Sequence, residues 1–239
     1  MKHAVLRHAV LRHAVLRHAV LVHGAGGGAW EWNVWCTVFA ARGIEVVAQD
    51  LRPVAAGLAA TGFGDYVAQV AEALQALPRP RAVVGASLGG LLAMACAAQA
   101  DALVLVNPLP PVPWSSRMPA REWNDVVAWG RDARLESTRR ALPDSDEATA
   151  LFAMRRWRDE SGAVLRAARQ GIEVAAPACP VLCIASGQDE DVPAAVTMEL
   201  AEAWKATLLR LPSTSHVGPL LGRSAAMVAE QAVAWLSAR

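Results

Sequence analysis

Three residues have the types and settings that acyl-transfer chemistry needs. Ser87 stands at the centre of Gly85-Ala86-Ser87-Leu88-Gly89, between the short apolar run Arg81 to Val84 and the helix-like stretch Leu91 to Ala95. A G-x-S-x-G turn between a strand and a helix lifts a serine hydroxyl out of the end of a sheet. Its small residues let the two backbones nearly touch. A serine hydroxyl is scarcely ionised at neutral pH, so a nucleophilic Ser87 needs a base. Of the six histidines, four belong to an N-terminal repeat and His23 to a glycine-rich stretch, which leaves His216. It falls in the loop Pro212 to Pro219, just past the strand-like run Thr207 to Leu211. Asp189 falls just past the run Pro180 to Ala185, where a carboxylate can hold the imidazole's tautomer and stabilise imidazolium. Glu190 and Asp191 are neighbours, so the choice between Asp189 and Asp191 stays open.

A fourth feature is His23-Gly24-Ala25-Gly26-Gly27-Gly28-Ala29-Trp30. A strand opening into such a loop brings bare backbone N–H groups close to a ligand, with Gly24 at the point of approach. The loop lacks the lysine of a phosphate-binding G-x-x-x-x-G-K-[ST]. A dinucleotide frame fails as well, since Ala29 stands where the third glycine belongs, although Asp50 lies at a plausible distance for a ribose-binding acid. The glycines otherwise read as flexible loop.

These residues need elements to position them. Apolar runs and helix-like stretches alternate: His18 to Val22, a helix over Ala29 to Arg42 ended by Gly43, Ile44 to Ala48, a helix over Asp65 to Leu77, Arg81 to Val84, a helix over Gly89 to Ala98, and Leu103 to Val106. The rhythm resumes with Pro180 to Ala185, a helix Ala194 to Ala203, Thr207 to Leu211 and a last helix from about Ser224 to Leu236. Continuous apolar strands alternating with helices predict an α/β fold, a mostly parallel central sheet covered on both faces. Ligands in such sheets bind at the carboxyl ends of the strands, where His23-Gly24, Ser87 and Asn107 all fall. Residues 108–176 break the pattern with a stiff exit of Pro108, Pro110, Pro111 and Pro113, then tryptophans and arginine-rich amphipathic segments such as Arg121 to Arg131 and Glu147 to Glu160. They read as a small helical cap inserted into a core of residues 18–107 and 177–239. Trp114, at the cap's entrance, is a candidate substrate contact together with Gly24.

The 239 residues suit one domain with such an insertion. A formal net charge of +1 carries no basic footprint for nucleic acid. The balance turns mildly acidic once Lys2, Arg7, Arg12 and Arg17 are set aside. Cys36, Cys96, Cys179 and Cys183 sit in apolar runs without metal-type pairing and read as buried free thiols. No charge-free apolar stretch is long enough to span a membrane, and arginines interrupt the N-terminus too often for a secretion signal. A cytoplasmic protein with neither membrane nor nucleic-acid partner is expected. Residues 3–22 repeat a five-residue unit, and a period of five matches neither strand nor helix. Residues 1–17 are therefore read as a poorly ordered extension whose deletion leaves folding and activity nearly unchanged. A metal array of His3, His8, His13 and His18, or one repeat copy pairing as an extra edge strand, are the sharper alternatives.

With Ser87, Asp189 and His216 in that chain order, the sequence resembles the α/β-hydrolase superfamily from about residue 18 onward. His23 to Trp30 resembles the H-G-x-x-x-G-A-W loop of esterase and methylesterase-like members, a neighbourhood that includes plant hydroxynitrile lyases. Ala86 replaces the frequent histidine before the serine. Ser186 and Ser215 replace glycines of the acid loop and of the G-H pair. The resemblance implies a serine esterase-type mechanism on a small or medium apolar ester, with the backbone N–H groups of Ala25 and Leu88 as oxyanion hole and no metal or organic cofactor. Its alternatives are cyanohydrin cleavage, lactone opening or perhydrolysis on the same fold, or a catalytically silent binder. Cyanohydrin cleavage leans on a cap lysine, and only Lys2 and Lys205 occur here, neither in the cap.

Overall fold

The computed structural model describes residues 16–239. Six parallel strands form one sheet: β1 (His18–Val22), β2 (Glu45–Ala48), β3 (Arg81–Ala86), β4 (Ala102–Val106), β7 (Val181–Ser186) and β8 (Thr207–Leu211), in the order β2-β1-β3-β4-β7-β8. Strand β1 is the fourth copy of the repeat. It lies inside the sheet, pairing Val20 with Val47 on one side and Val83 on the other.

The apolar runs are continuous because both faces are buried. On one face Val20, Val22, Val83, Leu103, Leu105 and Cys183 pack under the helices α2 (Phe63–Gln75), α3 (Leu88–Ala95) and α7 (Ala194–Ala203). On the other, Ala19, Leu21, Ala82, Val84, Val104 and Ile184 meet Trp32, Trp35 and Phe39 at and within α1 (Asn33–Ala41) and the inner side of α9 (Ala225–Ser237). Alternate residues of each strand thus serve opposite cores. The short helix α8 (Gly218–Leu221) links the β8 loop to α9.

Leu16 and Arg17, read from sequence as the end of the extension, belong to the folded body. Leu16 is buried in the α1/α9 core, and the Arg17 carbonyl accepts the Glu45 N–H at 2.8 Å. Removing residues 2–17 therefore takes away core contacts, contrary to the neutral deletion expected above. Of the histidine array only His18 is described, and the first two repeat copies, with His13 to Val15 of the third, lie outside the described residues.

Between β4 and β7 the chain adds nothing to the main sheet. It forms a 3₁₀ turn (Trp114–Arg117), the helices α4 (Leu135–Ala141), α5 (Glu147–Met154) and α6 (Gly162–Gln170), and a two-stranded antiparallel ribbon of β5 (Val126–Val127) and β6 (Glu160–Ser161). Arg121 to Arg131 is thus extended chain and turn rather than helix. Helix α6 leans on α2 and buries Val164 in the core beneath. Among the described residues no helix is long and apolar enough to cross a membrane, and all four cysteines are free thiols.

Candidate active site

Strand β3 delivers Ser87 into a turn with φ 51° and ψ −119°, a left-handed conformation that side chains rarely adopt. Contacts on both sides hold it there. The Ser87 N–H donates to Val106 O and its carbonyl accepts from Gly90, Leu91 and Leu109. The turn closes because Gly85 and Gly89 have no side chains. A Cβ on Gly85 would stand 2.1 Å from Gly89 O, and one on Gly89 would stand 2.1 Å from Val22 O. The Ser87 hydroxyl does not cap α3.

The β8–α8 loop brings His216 to the same cavity. Its Nδ1 lies 2.7 Å from Asp189 Oδ2. A carboxylate only accepts, so Nδ1 carries the hydrogen and Nε2 is the free basic nitrogen. The other Asp189 oxygen accepts the N–H groups of Asp191 and Val192 at 2.9 and 2.8 Å, which fixes the carboxylate within its own turn. Asp191 is not bonded to the imidazole; it pairs with Arg121 at 2.9 Å at the cavity wall. Burial by itself pushes the His216 imidazole down. The Asp189 carboxylate, joined by Asp191 and Glu31, outweighs that, and the net direction is upward from the ordinary 6.5.

Two residues not singled out for the site hold this loop. Asn107, at φ 42° just past β4, donates to the His216 carbonyl at 2.7 Å and to Ser186 Oγ at 2.9 Å. Its Oδ1 accepts the Ser186 N–H at 2.8 Å. Ser186, which stands where a glycine is usual, is thus part of a clamp joining the ends of β4 and β7 to His216. Asp144, between α4 and α5, accepts the hydroxyl and the N–H of Ser215 at 2.6 and 3.0 Å. An asparagine at a strand end was a visible signal; Asp144 gave none, because only the folded chain brings it to residue 215.

The glycine loop is pinned at several points. Leu51 N–H donates to His23 Nε2 at 2.9 Å, and His23 Nδ1 reaches Gly24 O at 2.7 Å. Burial pushes the His23 pKa to about 4, so His23 is a neutral strut. Gly26 N–H donates to Glu160 Oε2, Gly26 O accepts from Arg158 N, and Ala29 N–H donates to Asp50. Glu160, 3 % exposed, also accepts the Tyr66 hydroxyl at 2.8 Å and so ties β6 to α2 and the loop. The Gly24 N–H donates to Glu31. Among the described residues neither Ala25 N nor Leu88 N donates to a protein acceptor.

Gly24, Ala25, Ser87 and His216 border one cavity of about 710 Å³ beneath the 108–176 segment. No hydrogen bond joins Ser87 Oγ to His216 in this structure; such bonds tighten when substrate is in place. The roof is mostly apolar, with Trp123, Trp129 and Trp157 in it. Trp114 does not border the cavity. It stacks edge-on against Trp204, their ring centres 6.4 Å apart, and helps seat the 3₁₀ turn on α7. Leu88, read as the second oxyanion donor, is fully buried and does not border the cavity. Among the described residues no group of three histidine, cysteine or acidic side chains is placed to hold a metal ion.

A parallel sheet that delivers a strained serine turn beside a histidine-bearing loop defines an α/β protein of the hydrolase type. The model of the alpha/beta hydrolase family matches residues 19–231, and the chain belongs to that family. Solved structures with the same fold include a methylesterase from Arabidopsis, at 18% identity and TM-score 0.68, covering 92% of this chain and 100% of its own. Polyneuridine aldehyde esterase matches at 16% identity and TM-score 0.70, covering 91% of this chain and 99% of its own. A pyrethroid hydrolase from Sphingobium faniae JZ-2 matches at 19% identity and TM-score 0.69, covering 94% and 98%. No curated protein matched the sequence.

Proposed function

We propose that the protein is a serine esterase that cleaves a carboxylic ester of a small or medium apolar substrate through an acyl-enzyme. Ser87 attacks the ester carbonyl and forms the Ser87 Oγ–carbon bond. His216 Nε2 takes the hydroxyl proton and returns it to the departing alkoxide as the ester C–O bond breaks. Asp189 holds the imidazole and balances its charge. The N–H groups of Ala25 and Leu88 receive the oxyanion; a donor of this kind contributes about 3–4 kcal/mol. Water, activated by His216, then releases the acid and restores Ser87. The one observation carrying this reading is the 2.7 Å His216–Asp189 pair bordering the same cavity as a serine held at φ 51°.

The apolar roof supports an apolar substrate, and the volume lies within the usual ligand-pocket range of about 300–1,000 Å³. We assign residues 108–176 the role of a cap over the strand ends. The names of the methylesterase, esterase and pyrethroid hydrolase neighbours agree with ester chemistry. The test is hydrolysis of p-nitrophenyl esters of increasing acyl length by the wild type and by Ser87→Ala. Turnover with a length optimum, lost in the mutant, is expected. A well-folded wild type inert on the whole series contradicts the reading.

A further inference from the structure

Glu31 is a carboxyl group that the proposed mechanism leaves unused. It stands between Trp30 and Trp32 in a 3₁₀ turn (Ala29–Trp32), 2% exposed. Its side chain curls back under the glycine loop, where Oε2 accepts the Gly24 N–H at 3.2 Å. The absent side chain of Gly27 makes the room, since a Cβ there would stand 2.4 Å from the carboxyl atoms. Glu31 borders the same cavity as Ser87 and His216. Among the described residues no lysine or arginine pairs with it, and an ionised carboxylate buried without a cation is strongly disfavoured.

The titratable group that acts on Glu31 from a neighbouring element is His216. Behind His216 stand Asp189 and Asp191, the latter paired with Arg121. His23, at the start of the loop, is neutral with both ring nitrogens engaged. Glu31 is thus a buried acid with one backbone donor, from the residue that precedes Ala25, bordering the same cavity as the imidazole.

We propose that Glu31 serves the site as an uncharged carboxylic acid, and that losing its proton shuts the site down. As carboxylate it would set negative charge beside the loop whose Ala25 N–H receives the oxyanion, opposing the charge that develops there. It would also hold a proton on His216 and so remove the base. As the acid it keeps an O–H to offer into the cavity. Burial favours this form, pushing the Glu31 pKa to about 8 against the pull of the Gly24 N–H and of His216. Glu31 is a positioning residue, acting through charge on the oxyanion site and on His216. The inference rests on the serine-esterase reading of the cavity.

Two measurements on the full chain test it, each comparing wild type with Glu31→Gln, which keeps shape and the Gly24 contact without charge. The first needs no turnover. Infrared difference spectroscopy should show a protonated carboxyl band at neutral pH that disappears as pH passes through about 8 and is missing in the variant. The second is the pH profile of kcat and kcat/KM on p-nitrophenyl acetate. Above that midpoint the wild-type rate should fall by about tenfold per pH unit, while Glu31→Gln keeps its plateau. A purely structural Glu31 leaves both profiles with the same shape, and that result overturns the proposal, as does absence of the band. If Glu31→Gln does not fold, Glu31→Met carries the same comparison. A wild type that hydrolyses no ester sinks the esterase reading alone; the band still decides whether Glu31 is the uncharged acid.

Discussion

Asp189 and Asp191 are two residues apart, and the sequence favours Asp189 while leaving Asp191 open; their hydrogen bonds separate them. Asp189 spends one oxygen on His216 and the other on two backbone N–H groups, whereas Asp191 faces Arg121. Asp189→Asn should therefore lower kcat by about 10³–10⁴-fold, since an amide favours the wrong imidazole tautomer. Asp191→Asn should change kcat by less than about tenfold, because it only weakens the field at an imidazole still bonded to Asp189. Steady-state kinetics on one ester distinguishes the two. The His216 pKa is raised, so its basic form is lost as pH falls through a midpoint above the ordinary 6.5. The acid limb of kcat/KM should lie there, and in Asp189→Asn it should move down. Motif and elimination singled out Ser87 and His216, and the structure sets both at one cavity. Glu31 was not legible, since nothing in a lone acid between two tryptophans signals the glycine loop that folds over it. Trp114 misled for a related reason: an aromatic near a cavity and one in it look the same in sequence.

At the scale of elements, the Ser87 turn depends on three segments meeting where no side chain fits. Gly89→Ala would drive a Cβ into the Val22 carbonyl of β1, and should cost about 2–3 kcal/mol or more of stability by urea unfolding. The same change at Gly64, whose Cβ would meet nothing within 4 Å, should be near neutral. The His216 loop has a weaker anchor in Asp144. Asp144→Ala strips Ser215 of two bonds and should destabilise by about 1.5–3 kcal/mol, with a fall in kcat as the loop loosens. The sheet strands were legible because their apolar runs are unbroken and punctuated by glycine and proline. The β5–β6 ribbon was not, since two residues per strand leave no period to detect. Its pairing partner also lies more than thirty positions away.

Across the whole molecule, the buried Glu31 sets a direction for stability against pH. Its folded pKa of about 8 lies above the ordinary glutamate value of 4.5, so between those values the folded state holds a proton the unfolded chain has released. Its contribution to stability is full below 4.5 and shrinks as pH rises toward about 8, by about 1.4 kcal/mol per unit. Glu31→Gln lacks this dependence, so its melting temperature should gain on the wild type as pH rises from 5 toward 8. The start of the folded body also has a global consequence. Leu16 is buried in the α1/α9 core, and Leu16→Ala should lower stability by about 2–3 kcal/mol by denaturant unfolding. A repeat hides this boundary, because identical copies give identical local signals and only tertiary contact distinguishes them. The claim on which the functional account turns is covalent chemistry at Ser87. Rapid mixing with p-nitrophenyl acetate, acid quenching and peptide mass analysis reads it directly. The account predicts an acetyl group on the peptide containing Ser87, formed with a burst of p-nitrophenol and missing in Ser87→Ala. Steady turnover in that variant, or an acetyl group found only elsewhere in the wild type, would contradict it.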